Sequence, residues 1–331
     1  MRATFEKFLF LAVMLVVAVV GNQVGAVRPV ENSTASNLPE VILPSPSAVV
    51  GAALESIVIS PSVAEAISLL DAPQVASVSS QSTAAALKKI SEELPPLPQS
   101  QSVLVADVQS GEPYHSFEAE RRWPTASLTK LMAAALAMRN MDANAKIELL
   151  TDDFRPGEMN LRSGETYYVK DLIRAMLVFS SNEAARAVAR NYRGDFMADL
   201  NKLAEEWGMP DTHFAEPTGL ASSNQSTARD LLVMARRVYQ EYPNILEVSR
   251  KTKVTLSDAV SGQGRSFVNT NTFAGETNFI GGKTGFTRDA GENLLTIFNH
   301  RNRPVFIVVL GSTARFDETR ELINWFRNNY R

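Results

Sequence analysis

The chain has 331 residues, 45% of them hydrophobic and 21% charged, enough for one large domain or two ordinary ones and unlike a disordered or fibrous chain. Its net charge is −3, with Lys and Arg mixed among Asp and Glu, so no long-range positive field gathers nucleic acid, and that class of partner is set aside. The absence of cysteine removes disulfides, thiol nucleophiles and thiolate metal sites together, without fixing the compartment.

In chain order, Arg2 and Lys7 precede an apolar run from Phe8 to Val20, and no charge follows until Arg28. This is the pattern of an export signal, placing the protein in the periplasm or on the outer face of the cytoplasmic membrane. Val24-Gly25-Ala26 offers a cleavage site, whereas the uncharged stretch from Phe8 to Val27 is long enough to span a bilayer; residues 1–27 therefore read as a cleaved signal or as a retained membrane attachment. Residues 28–100 mix Ser, Ala, Pro and Val and include Leu43-Pro44-Ser45-Pro46 and Leu94-Pro95-Pro96-Leu97-Pro98. Such a segment buries too little side chain to offset its ordering entropy, and it reads as a disordered linker with a transient helix over 79–92.

A folded domain is expected over 101–331. Ser102 to Val108 and Pro113 to Phe117 read as a hairpin around a Gly-bearing turn, and Leu128 to Met141, free of Gly and Pro, as a helix. From Val169 to Val238 the pattern is helical, over 169–179, 183–191, 195–207 with Gly208 as its stop, and 227–239. Strands return over 279–283, 293–298 and 305–311, and a last helix runs over 316–330. Strands at both ends with helices between predict an α+β domain, in which one antiparallel sheet is completed by distant segments, flanked by helices, and faced by an inserted all-helical lobe across a cleft.

Three short motifs fall where such a cleft would gather them. Ser127-Leu128-Thr129-Lys130 stands at a helix head, where an amine three residues on shares a face with the hydroxyl and the helix N-terminus favours an oxyanion. A lysine in that place acts as a base if burial and nearby cations lower its pKa. Ser180-Ser181-Asn182 interrupts two helices; it reads either as a capped link or as a second hydroxyl to relay a proton and an amide to hold a peptide bond. Lys283-Thr284-Gly285 lies on a strand, followed by Phe286. It reads as a solvated edge or as a Gly-opened backbone with Lys and Thr beside it to hold a carboxylate. Each motif is common alone, and their joint occurrence in this order carries the reading.

With these motifs the chain resembles the penicillin-recognising serine enzymes, and more narrowly the low-molecular-mass penicillin-binding proteins, the serine D-alanyl-D-alanine carboxypeptidases and endopeptidases of peptidase family S11. The resemblance runs through 122–132, 176–185, 216–220, 226–231, 282–287 and Ala290-Gly291. It implies a β-lactamase/transpeptidase-like fold, peptidoglycan stem peptides as substrate, β-lactam antibiotics as covalent inhibitors, and no cofactor or metal. It implies Ser127 as the acylated nucleophile, Lys130 as its base and Ser180 as proton relay. Asn182 would bind the substrate amide, Lys283 would tune the local charge, Thr284 would contact the substrate carboxylate, and Gly285 would admit the substrate backbone. The oxyanion would meet the N–H groups of Ser127 and Phe286.

The middle motif departs from the Ser-Asp-Asn of class A β-lactamases, and no counterpart of their deacylating glutamate is evident, so slow release of penicillin is expected. Relatives also carry an Arg that aligns with Ser312, whose absence turns attention from a free terminal carboxylate to cross-links. The rival readings are a β-lactamase and an inert wall-binding module. His115, His213 and His300 lack metal-ligand spacing and read as surface or capping residues, and Trp123 reads as core packing.

Overall fold

The computed structural model of the protein describes residues 87–158 and 160–331. Residues 1–27, and 28–86 of the expected linker, lie outside the described residues. Among the described residues no helix is long and apolar enough to cross a membrane.

The sheet is built from both ends of the domain. Strands β1 (Ser102–Asp107), β2 (Pro113–Phe117), β9 (Phe279–Thr287), β10 (Gly291–His300) and β11 (Arg303–Ser312) form one antiparallel sheet in the order β2-β1-β11-β10-β9. Its central strands are almost continuously apolar because both faces are covered. Side-chain alternation divides the two faces. Val103, Val105, Ile307 and Val309 pack with Leu322, Ile323 and Phe326 of the last helix, α7 (Arg315–Asn329). Their neighbours Leu104, Ala106, Val308 and Leu310 join the core of the helical lobe. At roughly 1.5–3 kcal/mol per buried large aliphatic side chain, this two-sided burial is what joins the termini of the domain.

The lobe holds helices α1 (Thr129–Asn140), α2 (Val169–Val178), α3 (Asn182–Arg190), α4 (Phe196–Trp207), α5 (Ala228–Glu241) and α6 (Pro243–Ser249). Helix α1 is buried continuously from Thr129 to Ala137, as its Ala- and Leu-rich text requires of a central helix. Asp195 caps α4 by accepting from the N–H groups of Met197 and Ala198, and Gly208 ends it at φ 82°. Short ribbons complete the fold: β3 (Trp123–Pro124) with β6 (Gln225–Ser226), β4 (Lys146–Glu148) with β5 (Thr166–Tyr168), and β7 (Lys253–Ser257) with β8 (Gly264–Val268).

Residues 87–100 correct the expected boundary, being neither a loose linker nor the tail of a helix. Lys88 and Arg331 exchange backbone hydrogen bonds, and Ile90 donates to Asn329. The Glu93 carbonyl accepts from the Trp325 indole, and the buried Glu318 carboxylate accepts from the N–H groups of Gln99 and Ser100 and from the Ser100 hydroxyl. A segment whose Ile90, Leu94 and Leu97 stay exposed is ordered here chiefly because its backbone satisfies polar groups on α7.

Candidate active site

Ser127 sits in a 3-10 turn, Ala126–Leu128, that runs directly into α1, one turn ahead of the regular helix expected there. Ala126 takes φ 46°, a conformation that costs a residue with a β-carbon about 1–3 kcal/mol. Two glycines allow neighbouring segments to hold it there. A β-carbon on Gly219 would lie 1.8 Å from the Ala126 carbonyl oxygen, and one on Gly285 would lie 3.0 Å from the Ala126 β-carbon and 3.2 Å from the Ser127 nitrogen. The nucleophile turn is thus gripped between the 216–220 loop and β9.

Lys130 is wholly buried. Its Nζ lies 2.9 Å from Ser127 Oγ, 2.7 Å from Asn182 Oδ1 and 2.5 Å from the Thr218 carbonyl oxygen. Burial pushes this amine down to about 7; the Glu216 carboxylate opposes the shift and Arg186 adds to it. The Thr218 carbonyl is aimed by its own loop, in which Glu216 accepts from the N–H groups of Thr218 and Gly219 and from the Thr218 hydroxyl. A neutral amine has two N–H donors and one lone pair. With Asn182 and Thr218 as acceptors, the lone pair is left for the Ser127 hydroxyl.

The other two motifs close the far side. Ser180 follows α2 at φ 62° and presents Oγ 2.9 Å from Nζ of Lys283. Lys283, in mid-strand on β9, also donates to the Thr284 carbonyl and is buried rather than solvated. Burial holds its amine well below the ordinary lysine value, and the positive charges of Lys130 and Arg315 push the same way. Thr284 Oγ1 lies 2.8 Å from Thr270 Oγ1. Ser181 points elsewhere, capping α3 through the N–H of Ala184, so the link is a capped one, while Ser180 and Asn182 on either side of it face Lys283 and Lys130. Phe286 is 60% exposed beyond Gly285. Ser127, Lys130, Ser180, Asn182, Lys283, Thr284 and Gly285 therefore converge on one crevice between sheet and lobe.

Three polar side chains of this crevice escape a reading of the sequence. Arg315, at the head of α7, donates from Nη1 to the Gly285 carbonyl at 2.8 Å. Its buried Nε has no partner among the described residues. A guanidinium thus reaches β9 from three positions beyond Ser312, whose Oγ accepts from the Ala314 N–H. Scanning the helix start for a cation, instead of one aligned position, is the signal that finds it. Glu158 accepts from Asn182 Nδ2 at 2.8 Å and is clasped by both terminal nitrogens of Arg186.

His213 is exposed, as expected. His115 and His300 are instead half-buried, against Trp325 and Phe326 of α7. Trp123 packs on the core and its indole donates to the Ala290 carbonyl. Among the described residues no group of three or more His, Asp or Glu side chains could hold a metal ion.

Comparison with known proteins adds to this geometry. The family described as D-alanyl-D-alanine carboxypeptidase matches residues 89–314. The chain is 32% identical over 238 residues to the D-alanyl-D-alanine endopeptidase of Pseudomonas aeruginosa, covering 68% of this chain and 76% of that one. It is 31% identical over 272 residues to the D-alanyl-D-alanine endopeptidase of Escherichia coli, covering 77% and 83%. The structure of penicillin-binding protein D2 from Listeria monocytogenes in its ampicillin-bound form superposes with a TM-score of 0.63 at 29% identity, covering 70% of this chain and 98% of that one.

Proposed function

Because the chain belongs to the D-alanyl-D-alanine carboxypeptidase family, peptidase family S11, we infer that it is a serine DD-peptidase cleaving D-alanyl bonds of peptidoglycan stem peptides through an acyl-enzyme on Ser127. The observation that carries this reading is the contact between Ser127 and a buried Lys130 whose amine is brought to about 7. Ser127 gives its proton to the neutral amine as its oxygen attacks the scissile carbonyl. The oxyanion is held by the N–H groups of Ser127 and Phe286. The proton then passes by way of Ser180, already bonded to Lys283, to the leaving amine, and water resolves the acyl-enzyme. Asn182 keeps one amide hydrogen for the substrate carbonyl, while Lys283, Thr284 and Arg315 surround its carboxylate.

Within this class the reading is an endopeptidase that opens cross-links, the activity named for the two relatives above. A β-lactam acylates the same serine and leaves slowly. The protein acts outside the cytoplasm, with 1–27 as signal or membrane attachment and 28–86 as a tether. Labelling with a fluorescent penicillin is expected for the wild type and lost in Ser127→Ala; an unlabelled wild type refutes the enzymatic reading. Digestion of cross-linked muropeptides separates the two activities, since an endopeptidase yields monomers and a carboxypeptidase yields free D-alanine.

A further inference from the structure

Asn182 carries two chemically different ends, and only one suits Lys130. Its oxygen faces the amine at 2.7 Å; were the amide turned over, an N–H donor would face Nζ, and the lone pair meant for Ser127 would be drawn to it. Nothing in the Asn side chain itself prefers one orientation. The selector is Glu158, whose Oε1 lies 2.8 Å from Asn182 Nδ2: an ionised carboxylate only accepts, so it admits only the nitrogen end. Arg186 keeps it in that state, with Nη1 and Nη2 bonded to Oε2 and Oε1, and is itself anchored by donating to the Asp153 carbonyl. The pair is mostly buried, each side chain 14% exposed.

Resting on the reading of Ser127 and Lys130 given above, we propose that Glu158, clasped by Arg186, is a positioning residue that fixes which end of the Asn182 amide faces the catalytic lysine. Glu158 is not placed to act as a deacylating base, although it is a carboxylate beside Asn182. Burial pushes its carboxyl up, but the hydrogen bonds from Arg186 and Asn182 outweigh that and hold it below its usual value, and the oxygen nearest Asn182 is already committed. The ion pair also contributes to the field at Lys130. That amine is faced by Glu216 from the 216–220 loop, by Arg186 and Glu183 from α3, by Glu158 from the connection between β4 and β5, and by Lys283 from β9. Removing Glu158 therefore lowers the lysine's titration midpoint, and removing Arg186 raises it.

The test measures the rate of acylation by a fluorescent penicillin from about pH 5 to about pH 9 in the wild type, Glu158→Gln, Arg186→Gln and Glu158→Asp, with melting temperatures alongside. In Glu158→Gln the acid limb is expected to move to lower pH and the plateau to fall about tenfold, because the new amide both donates and accepts. In Arg186→Gln the limb moves to higher pH with a smaller loss of plateau. Glu158→Asp keeps the charge but withdraws it by one methylene, so it leaves the limb near that of the wild type while lowering the plateau; it stands in for Glu158→Gln should that variant fail to fold. Limbs of the two Gln variants that stay put or move together, an unchanged plateau in Glu158→Asp, or plateau losses that merely follow the melting temperatures, overturn the proposal. Failure of the wild type to label sinks the parent reading instead, so the two failures are distinguishable.

Discussion

At the scale of single residues, the site holds two lysines where a protein interior would least accept them. Lys130 and Lys283 are both buried, and burial is the largest cause of the lowered pKa of each. For Lys130 the folded value of about 7 lies below the ordinary lysine value of 10.5, so between these limits the unfolded chain binds more protons and stability rises with pH. Below about 7 the destabilisation is complete. Lys130→Met is therefore expected to abolish acylation yet melt at a higher temperature than the wild type near about pH 6, with the difference shrinking toward about pH 10. Thermal melts across that range check it, and a variant that melts lower throughout would contradict it. The seven residues that meet in the crevice were legible as three motifs, because chemistry that needs a hydroxyl, an amine and an amide leaves those residue types in the text. Arg315, Glu158 and Arg186 were not. Arg186 and Arg315 reach the site from helices and Glu158 from a loop, so tertiary placement decides where each long side chain ends, and no spacing along the chain encodes that.

At the scale of elements, position depends on close approach more than on propensity. Gly219 has φ 86° and its absent β-carbon would overlap the Ala126 carbonyl at 1.8 Å, whereas Gly208 has φ 82° with nothing within 4 Å. Both substitutions by Ala incur about 1–2 kcal/mol of left-handed strain, but only Gly219→Ala also displaces the backbone beside the nucleophile. It is expected to lower the melting temperature by at least about twice as much and to cut penicillin labelling by at least about tenfold, while Gly208→Ala labels like the wild type. Equal effects of the two on melting and labelling would contradict the proposed grip on the nucleophile turn. The long helices and the central strands of the sheet follow their hydrophobic patterns closely, since deep burial imposes a period on them. The ribbons do not. Lys253 to Ser257 alternates exposed and buried residues and so carried a readable strand signal. By contrast β3 and β6, of two residues each, are strands only because tertiary contacts make them so.

At the scale of the whole domain, the sheet order unites the first and last described strands, and the 87–100 segment closes against α7. That union of distant ends was legible from strands at both extremes of the domain; the extra segment was not, because its attachment is through backbone and polar groups rather than apolar side chains. Removing it strips the buried Glu318 carboxylate of the donors from Gln99 and Ser100 and leaves the Trp325 indole without its carbonyl. At about 1–3 kcal/mol for each buried group left unsatisfied, a chain beginning at Gln101 is expected to melt well below one beginning at Leu87 while still acylating slowly at permissive temperature. Equal melting temperatures would show the segment to be dispensable.

All of this chemistry depends on an amine that gives up its proton near neutrality. Titration of lysine labelled with 13C at Cε, followed by NMR with Lys130→Arg to assign the resonance, observes that proton directly. The expected midpoint for Lys130 is about 7; a midpoint at the ordinary 10.5 would contradict the assignment of Lys130 as the base that activates Ser127.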